Sequence, residues 1–306
     1  MKENEQEITL KEKNHHLLAR LALWTSAIVW GSSFFIMKNT VDVFEPSMLL
    51  AIRFTIATIA LCLLFAKRLK KLNRRYFIDG AIIGVFLCLA YIVQTIGLTD
   101  TTPGKNAFLT ANYCVLVPFL FWALGGSKPD AFNYTAAFLG FAGIGLVSLS
   151  NGLSIRFGDL LTIFSGVLYA FQIVANAKLT KEKDPVLLTI IQLAVTSIIC
   201  WGIALTTASF PSNISTSTWF GMLYLAIICS AVAILFMNYG TQKVDPSEAS
   251  LIISLESVFG ILFSVIFYNE ILTPRLVIGF LMIFSAIIIS ETKLSFLFKS
   301  KSLPAK

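Results

Sequence analysis

Two ionisable residues stand inside otherwise apolar stretches, and they are the first places to look for chemistry. Glu256 lies near the middle of the run 249–270, ASLIISLESVFGILFSVIFYNE. If that run crosses a bilayer, the carboxylate costs roughly 2.5–3.5 kcal/mol to insert, so it is a functional-site hypothesis by default. Desolvation favours its neutral form, which gives a group able to take up and release a proton. The bland alternative is a hydrogen bond or ion pair within a helix bundle. Arg53 is the second, about 9 Å into its own apolar run at helical rise. It can meet an anionic solute group, pair with a carboxylate, or snorkel outward.

Polar side chains recur on one face of two stretches. Ser26, Trp30, Ser33 and Met37 follow a helical spacing, and Ser165, Tyr169, Gln172 and Asn176 repeat it. In a soluble chain such stripes are core packing; in a membrane, polar residues turn away from lipid into the bundle. Gln94, Asn112, Gln192 and Asn238 are single amides in separate apolar runs. Each alone is more often interhelical glue than a ligand, but together they can line a polar midplane pocket. The candidate solute contacts are therefore Trp30, Ser33, Gln94, Asn112, Tyr169, Gln172, Asn176 and Asn238, with Glu256 and Arg53 as coupling or charge-pair candidates.

Other chemistry is poorly supplied. The 5 cysteines fall singly in apolar runs, and the 2 histidines, His15 and His16, sit together in a charged N-terminal tail. No thiolate or histidine metal set results. GFAGIG at 140–145 follows no strand, and no Walker loop exists, so no nucleotide site is indicated. No catalytic residue, metal or cofactor is expected, and no enzyme.

The elements that must position these residues follow from composition. Of 306 residues, 56% are hydrophobic and 13% charged, with mean hydropathy +0.78; a soluble domain carries about 25% charged residues. The net charge of +7 reads as membrane topology rather than as nucleic-acid binding. Ten apolar segments, near 18–37, 47–66, 77–98, 105–124, 132–150, 158–177, 186–206, 218–239, 248–268 and 274–293, are long enough to span as helices. The fold class is all-α integral membrane. A tail of 1–17 is expected to be a surface helix or disordered, with a linker at 151–157 and a second tail at 294–306. Lys38, Lys105, Arg156 and Arg275 occupy one set of loops and Arg53 lies within a span, while all other Lys and Arg fall in the opposite loops and the tails. By the positive-inside rule both termini are cytoplasmic, and the basic stretch 67–75 touches anionic lipid.

The chain also resembles itself. At an offset of 139 residues Trp30 lands on Tyr169, Arg53 on Gln192, Pro118 on Ser257 and Gly140 on Gly279. The register slips to 143 around Gly97/Gly240 and Pro103/Pro246 and is expected to return, which sets Val117 opposite Glu256. An odd number of spans per copy makes the second copy inverted, with a site at the midplane between 18–150 and 158–293. Pro118 should kink its helix. Gly80 with Gly84, and Ala136 with Gly140, mark close helix packing.

Trp30-Gly31-Ser32-Ser33-Phe34, Arg53-Phe54, Phe157-Gly158-Asp159-Leu160-Leu161, and Ala249-Ser250-Leu251 followed by Leu255-Glu256, Asn269-Glu270 and Gly279 together resemble the EamA-type family of the drug/metabolite transporter superfamily. The resemblance runs from about 18 to 293. It implies two inverted five-helix repeats and movement of small metabolites, often amino-acid-like and frequently outward. Where the family usually has Pro after the glutamate, this chain has Ser257, which weakens the case for a second kink. The expected protein is a secondary transporter in the bacterial inner membrane, partnered by lipid, a small solute and protons. An uncoupled facilitator or exchanger is the alternative, ahead of a membrane enzyme or lipid-handling scaffold, which the short loops disfavour.

Overall fold

The computed structural model describes residues 2–149, 155–180, 183–244, 249 and 252–293. The expected tail 294–306 and most of the expected linker lie outside them. Twelve helices are used below: α1 (Lys2–Val41), α2 (Pro46–Leu64), α3 (Arg74–Thr99), α4 (Pro103–Thr110), α5 (Tyr113–Ala123), α6 (Ala131–Ser148), α7 (Phe157–Leu179), α8 (Pro185–Thr207), α9 (Thr216–Ala226), α10 (Ala233–Thr241), α11 (Glu256–Phe267) and α12 (Pro274–Thr292). Eight helical stretches are long and apolar enough to cross a membrane, with α4–α5 and α9–α10 each counted as one. Ile252–Phe267 and Pro274–Ser290 are shorter apolar helices. Residues 2–17 continue straight into the first span, since α1 runs unbroken from Lys2.

Helix starts follow local chemistry. Asn73, Thr102, Asp130, Asp184, Ser215 and Thr273 cap α3, α4, α6, α8, α9 and α12 through side-chain oxygens that accept backbone N–H groups. Proline opens α2, α4, α8 and α12, where its missing N–H costs nothing.

Three of the spans are interrupted. The first break falls at Ala111–Asn112, between α4 and α5, and Pro118 sits inside the continuing α5. The bend expected at Pro118 is thus taken up upstream, where Asn112 Nδ2 donates to the Ile163 carbonyl at 2.9 Å. The second is a π-helical turn, Ile227–Val232, between α9 and α10. The third falls at Leu255, just before α11, without a proline. There Ser257 Oγ donates to the Ser254 carbonyl at 2.8 Å. A hydroxyl bonding back to the preceding turn bends a helix as proline can.

The closest helix pairs are α6 with α12, α3 with α7, α2 with α8, α3 with α8, α1 with α11 and α1 with α10. Every one joins an element before residue 150 to one after it. Small residues permit this: a Cβ on Gly97 would stand 2.8 Å from the Gly158 carbonyl, and one on Gly158 would stand 2.5 Å from the Gly97 carbonyl. Gly80 and Gly84 lie against Ile191 and Gln192 of α8 in the same way.

Candidate solute site

A cavity sits among α1, α3, α4, α5, α7, α10 and the Ile253–Glu256 break. It is lined by Trp30, Ser33, Phe34, Met37, Leu87, Tyr91, Gln94, Thr110, Tyr113, Tyr169, Gln172, Ile173, Ile234, Met237, Ile253 and Glu256. Its volume is about 60 Å³, room for on the order of four waters. A larger solute needs the lining helices to part.

Glu256 is the only acidic or basic side chain in that lining. It is the first residue of α11 and 7% exposed, and Tyr113 Oη donates to its Oε1 at 2.9 Å. A helix N-terminus suits a carboxylate, so the break at Leu255 aims backbone dipoles at the charge. Among the described residues no cation lies within ion-pair distance of it.

Gln94 is fully engaged: its Nε2 donates to Thr110 Oγ1 at 3.0 Å and its Oε1 accepts from Tyr169 Oη at 2.8 Å. Tyr169 packs edge-on against Tyr91 and Tyr113, with centroids 5.7 and 6.4 Å apart. Trp30 Nε1 donates to the Cys229 carbonyl at 2.8 Å, within the π turn, and Ser33 Oγ donates to the Trp30 carbonyl. Gln172 is 2% exposed, and its Nε2 has no protein partner.

The structure therefore brings Trp30, Ser33, Gln94, Tyr169, Gln172 and Glu256 together. It places Asn112, Asn176 and Asn238 elsewhere. Asn112 ties α5 to α7, where a Cβ on Gly166 would meet its Oδ1 at 2.0 Å. Asn176 lies one turn beyond Gln172 and reaches Thr241 Oγ1 at 3.4 Å. Asn238 donates to Thr189 Oγ1 and Gln192 Oε1, at 2.8 and 3.1 Å. These are interhelical bonds.

Arg53 is also outside the lining, fully buried behind it. Nε donates to Ser230 Oγ at 2.6 Å and Nη1 to Met37 Sδ at 3.2 Å. The guanidinium carbon lies 4.9 Å from the Tyr91 ring centroid and 5.4 Å from that of Phe54. Ring faces and a hydroxyl occupy the place where a carboxylate partner or an outward snorkel was expected.

Sequence reasoning missed Tyr91 and Tyr113. Tyr91 precedes Gln94 by three positions on α3, a same-face spacing. Tyr113 precedes Glu256 by 143 positions, the offset already visible at Gly97/Gly240.

Outside the cavity wall, carboxylates tie the turn between α3 and α4 to α7 and to the end of α11. Asp159, fully buried, accepts from Thr101 Oγ1 and Lys105 Nζ, each at 2.6 Å. Glu270 accepts from Thr102, from Ser264 and from the Gly104 backbone N–H. Lys38 Nζ donates to the Leu98 and Thr99 carbonyls at 2.8 and 2.9 Å. Among the other ion pairs, Arg68 pairs with Asp184 at 3.1 Å, Lys183 with Asp79, and Lys293 with Asp130 at 2.6 Å. A groove beside α1, α8 and α10 is rimmed by Arg68, Lys183 and Lys243.

Among the described residues, a bundle of apolar helices long enough to cross a membrane surrounds this cavity, the architecture of an integral membrane protein. The chain belongs to the EamA-like transporter family, whose profile matches residues 17–149 and again 156–292. An uncharacterized transporter of Archaeoglobus fulgidus is 33% identical over 274 residues, covering 89% of this chain and 85% of the relative. The inner membrane transporter YedA of Escherichia coli K12, also named as uncharacterized, is 25% identical over 232 residues, 75% of this chain and 76% of YedA. The uncharacterized transporter YvbV of Bacillus subtilis is 27% identical over 273 residues, 87% and 89% of the two chains. A protein of known crystal structure shares the fold, with TM-score 0.67 at 17% identity over 91% of this chain and 98% of that one.

Proposed function

We propose that the chain is a secondary transporter that moves a small metabolite across the cytoplasmic membrane by alternating access, with the central cavity as its solute site. It works as ten spans in two inverted five-helix repeats, both termini cytoplasmic, exporting its solute in exchange for protons that ride on Glu256. The observation that carries this reading is the composition of the cavity wall, which comes in repeat-related pairs. Trp30 pairs with Tyr169, Ser33 with Gln172 and Phe34 with Ile173 at 139 positions; Tyr91 with Ile234, Gln94 with Met237, Thr110 with Ile253 and Tyr113 with Glu256 at 143. A site built in matching pairs from two halves is what a rocking mechanism needs, because each half contributes an equivalent wall that the other can close against. The two separate family matches, 17–149 and 156–292, support the same division.

The test is a metabolite-library thermal-shift screen on the purified protein, since a ligand that binds the folded state raises its apparent stability, followed by flux of each hit in proteoliposomes. Transport of at least one stabilising solute is expected, with loss of that flux when Trp30 and Tyr169 are both changed to Ala. Normal flux in the well-expressed double variant would remove the cavity from the pathway.

A further inference from the structure

The chemistry of the cavity wall narrows the solute, on the reading that this cavity is the transport site. The wall holds one ionisable carboxylate, Glu256, and no cation. Its neighbours are ring faces: Tyr113 is hydrogen-bonded to it, and Tyr169 packs against both Tyr113 and Tyr91. Arg53 is not part of the wall. It is fully buried behind Met37 and Tyr91, its Nε and Nη1 bonded to Ser230 and Met37, its Nη2 without a protein partner, and its guanidinium carbon 4.9 Å from the Tyr91 ring centroid.

The wall is also two-sided. The first half supplies Tyr91, Gln94, Thr110 and Tyr113, while their repeat partners Ile234, Met237 and Ile253 are apolar and only Glu256 is polar. Gln94 Nε2 donates to Thr110 Oγ1, whereas the Nε2 of Gln172, another wall residue, is a buried donor without a protein partner.

We infer that the solute is a small amphipathic organic cation, an amine with an apolar or aromatic body. Its ammonium group pairs with Glu256 among the tyrosine faces. Its body lies against Phe34, Ile234, Met237 and Ile253. An acceptor atom on the solute takes the free Gln172 N–H. An ammonium satisfies the one uncompensated carboxylate in the lining, and aromatic faces attract cations. A cation is the one solute that favours the ionised form of this desolvated carboxylate; an anion would find no counter-charge in the wall, and a neutral solute would leave Glu256 protonated.

The experiment uses the purified full-length protein and probes of one shape: phenethylamine, phenethyl alcohol and phenylacetate, with hexylamine as a second cation. Thermal stabilisation by both amines, exceeding that by the alcohol and the carboxylate, is expected. Glu256→Gln should weaken amine binding at least about 30-fold, the scale for truncating one partner of a buried charge pair. Glu256→Asp, which keeps the charge, should retain the preference for amines and guards against loss through misfolding. Equal or better stabilisation by phenylacetate or phenethyl alcohol, or no shift with either amine, overturns the assignment. Flux in proteoliposomes separates the two claims. Amine binding without amine flux leaves the cation site standing and counts against transport; flux of an anion without amine binding does the reverse.

Discussion

Glu256 and Arg53 are both lone charges in apolar helices, yet their surroundings differ in kind. Glu256 opens onto a cavity with one phenol donating to it, whereas Arg53 has a hydroxyl, a thioether and two ring faces and no opening. The first arrangement leaves capacity for a proton or a ligand; the second engages Nε and Nη1 in structure and leaves Nη2 buried without a protein partner. Arg53 should thus behave as a stability residue. Ser230→Ala leaves its Nε without a partner and is expected to cost about 1.5–3 kcal/mol, the range for a hydrogen bond to a charged group, read as a lower unfolding midpoint with the bound-solute shift retained. Both charges are legible in the sequence because each breaks an apolar run. Tyr91 and Tyr113 are not, since in a chain with 13% aromatic residues a tyrosine carries no local mark. Asn112, Asn176 and Asn238 show the converse: an amide inside a span looks alike whether it faces a cavity or a neighbouring helix, and only packing separates the two.

Among the elements, the interruptions are what place side chains in the cavity. The break at Leu255 puts Glu256 at a helix start, the break at Ala111–Asn112 puts Tyr113 at another, and the two meet. The helix starts also correct the register. α6 begins at Ala131 and α12 at Pro274, so the offset of 143 persists to the end instead of returning to 139, and Tyr113 rather than Val117 stands opposite Glu256. A sliding comparison could not see this, because apolar helices match one another at almost any shift. Where α3 meets the start of α7, backbones touch at Gly97 and Gly158. Gly158→Ala should cost about 1–3 kcal/mol through overpacking, measured as a lower unfolding temperature in detergent. Lys105 and Asp159 form a buried pair, with Asp159 at 0% and Lys105 at 14% side-chain exposure. Asp159→Ala leaves the lysine uncompensated and is expected to destabilise by about 3–5 kcal/mol, again in thermal unfolding.

Asp130 offers a test of pH dependence outside the spans. Burial pushes its carboxyl up, but the hydrogen bond and charge of Lys293 and the backbone N–H groups of Asn133 and Phe132 outweigh that and hold it below its ordinary value. A depressed carboxylate contributes stability that is present above its unfolded-state pKa and lost as pH falls through the folded one. Acidification below about pH 4 should therefore destabilise the native protein more than Asp130→Asn, and the two unfolding curves should converge at low pH.

At the scale of the whole molecule, the two halves interlock instead of standing side by side. The pairs α3 with α7 and α1 with α10 exchange roles when the halves are swapped, as do α1 with α11 and α5 with α7, while α6 with α12 and α2 with α8 map onto themselves. That pattern is what the proposed inverted repeat, with its pseudo-twofold axis, would require. Composition and the spacing of apolar runs were enough to anticipate a helical membrane bundle and most of its segments, because lipid leaves the backbone no other choice. Which polar residues share a cavity depends on long-range pairing across that axis. If solute and proton movement are linked through Glu256, solute flux in proteoliposomes under an imposed pH gradient reads the link directly when the native protein is compared with Glu256→Gln. Gradient-driven flux in the native protein and its loss in the variant are expected; gradient-driven flux of equal size in both would show that Glu256 does not link them.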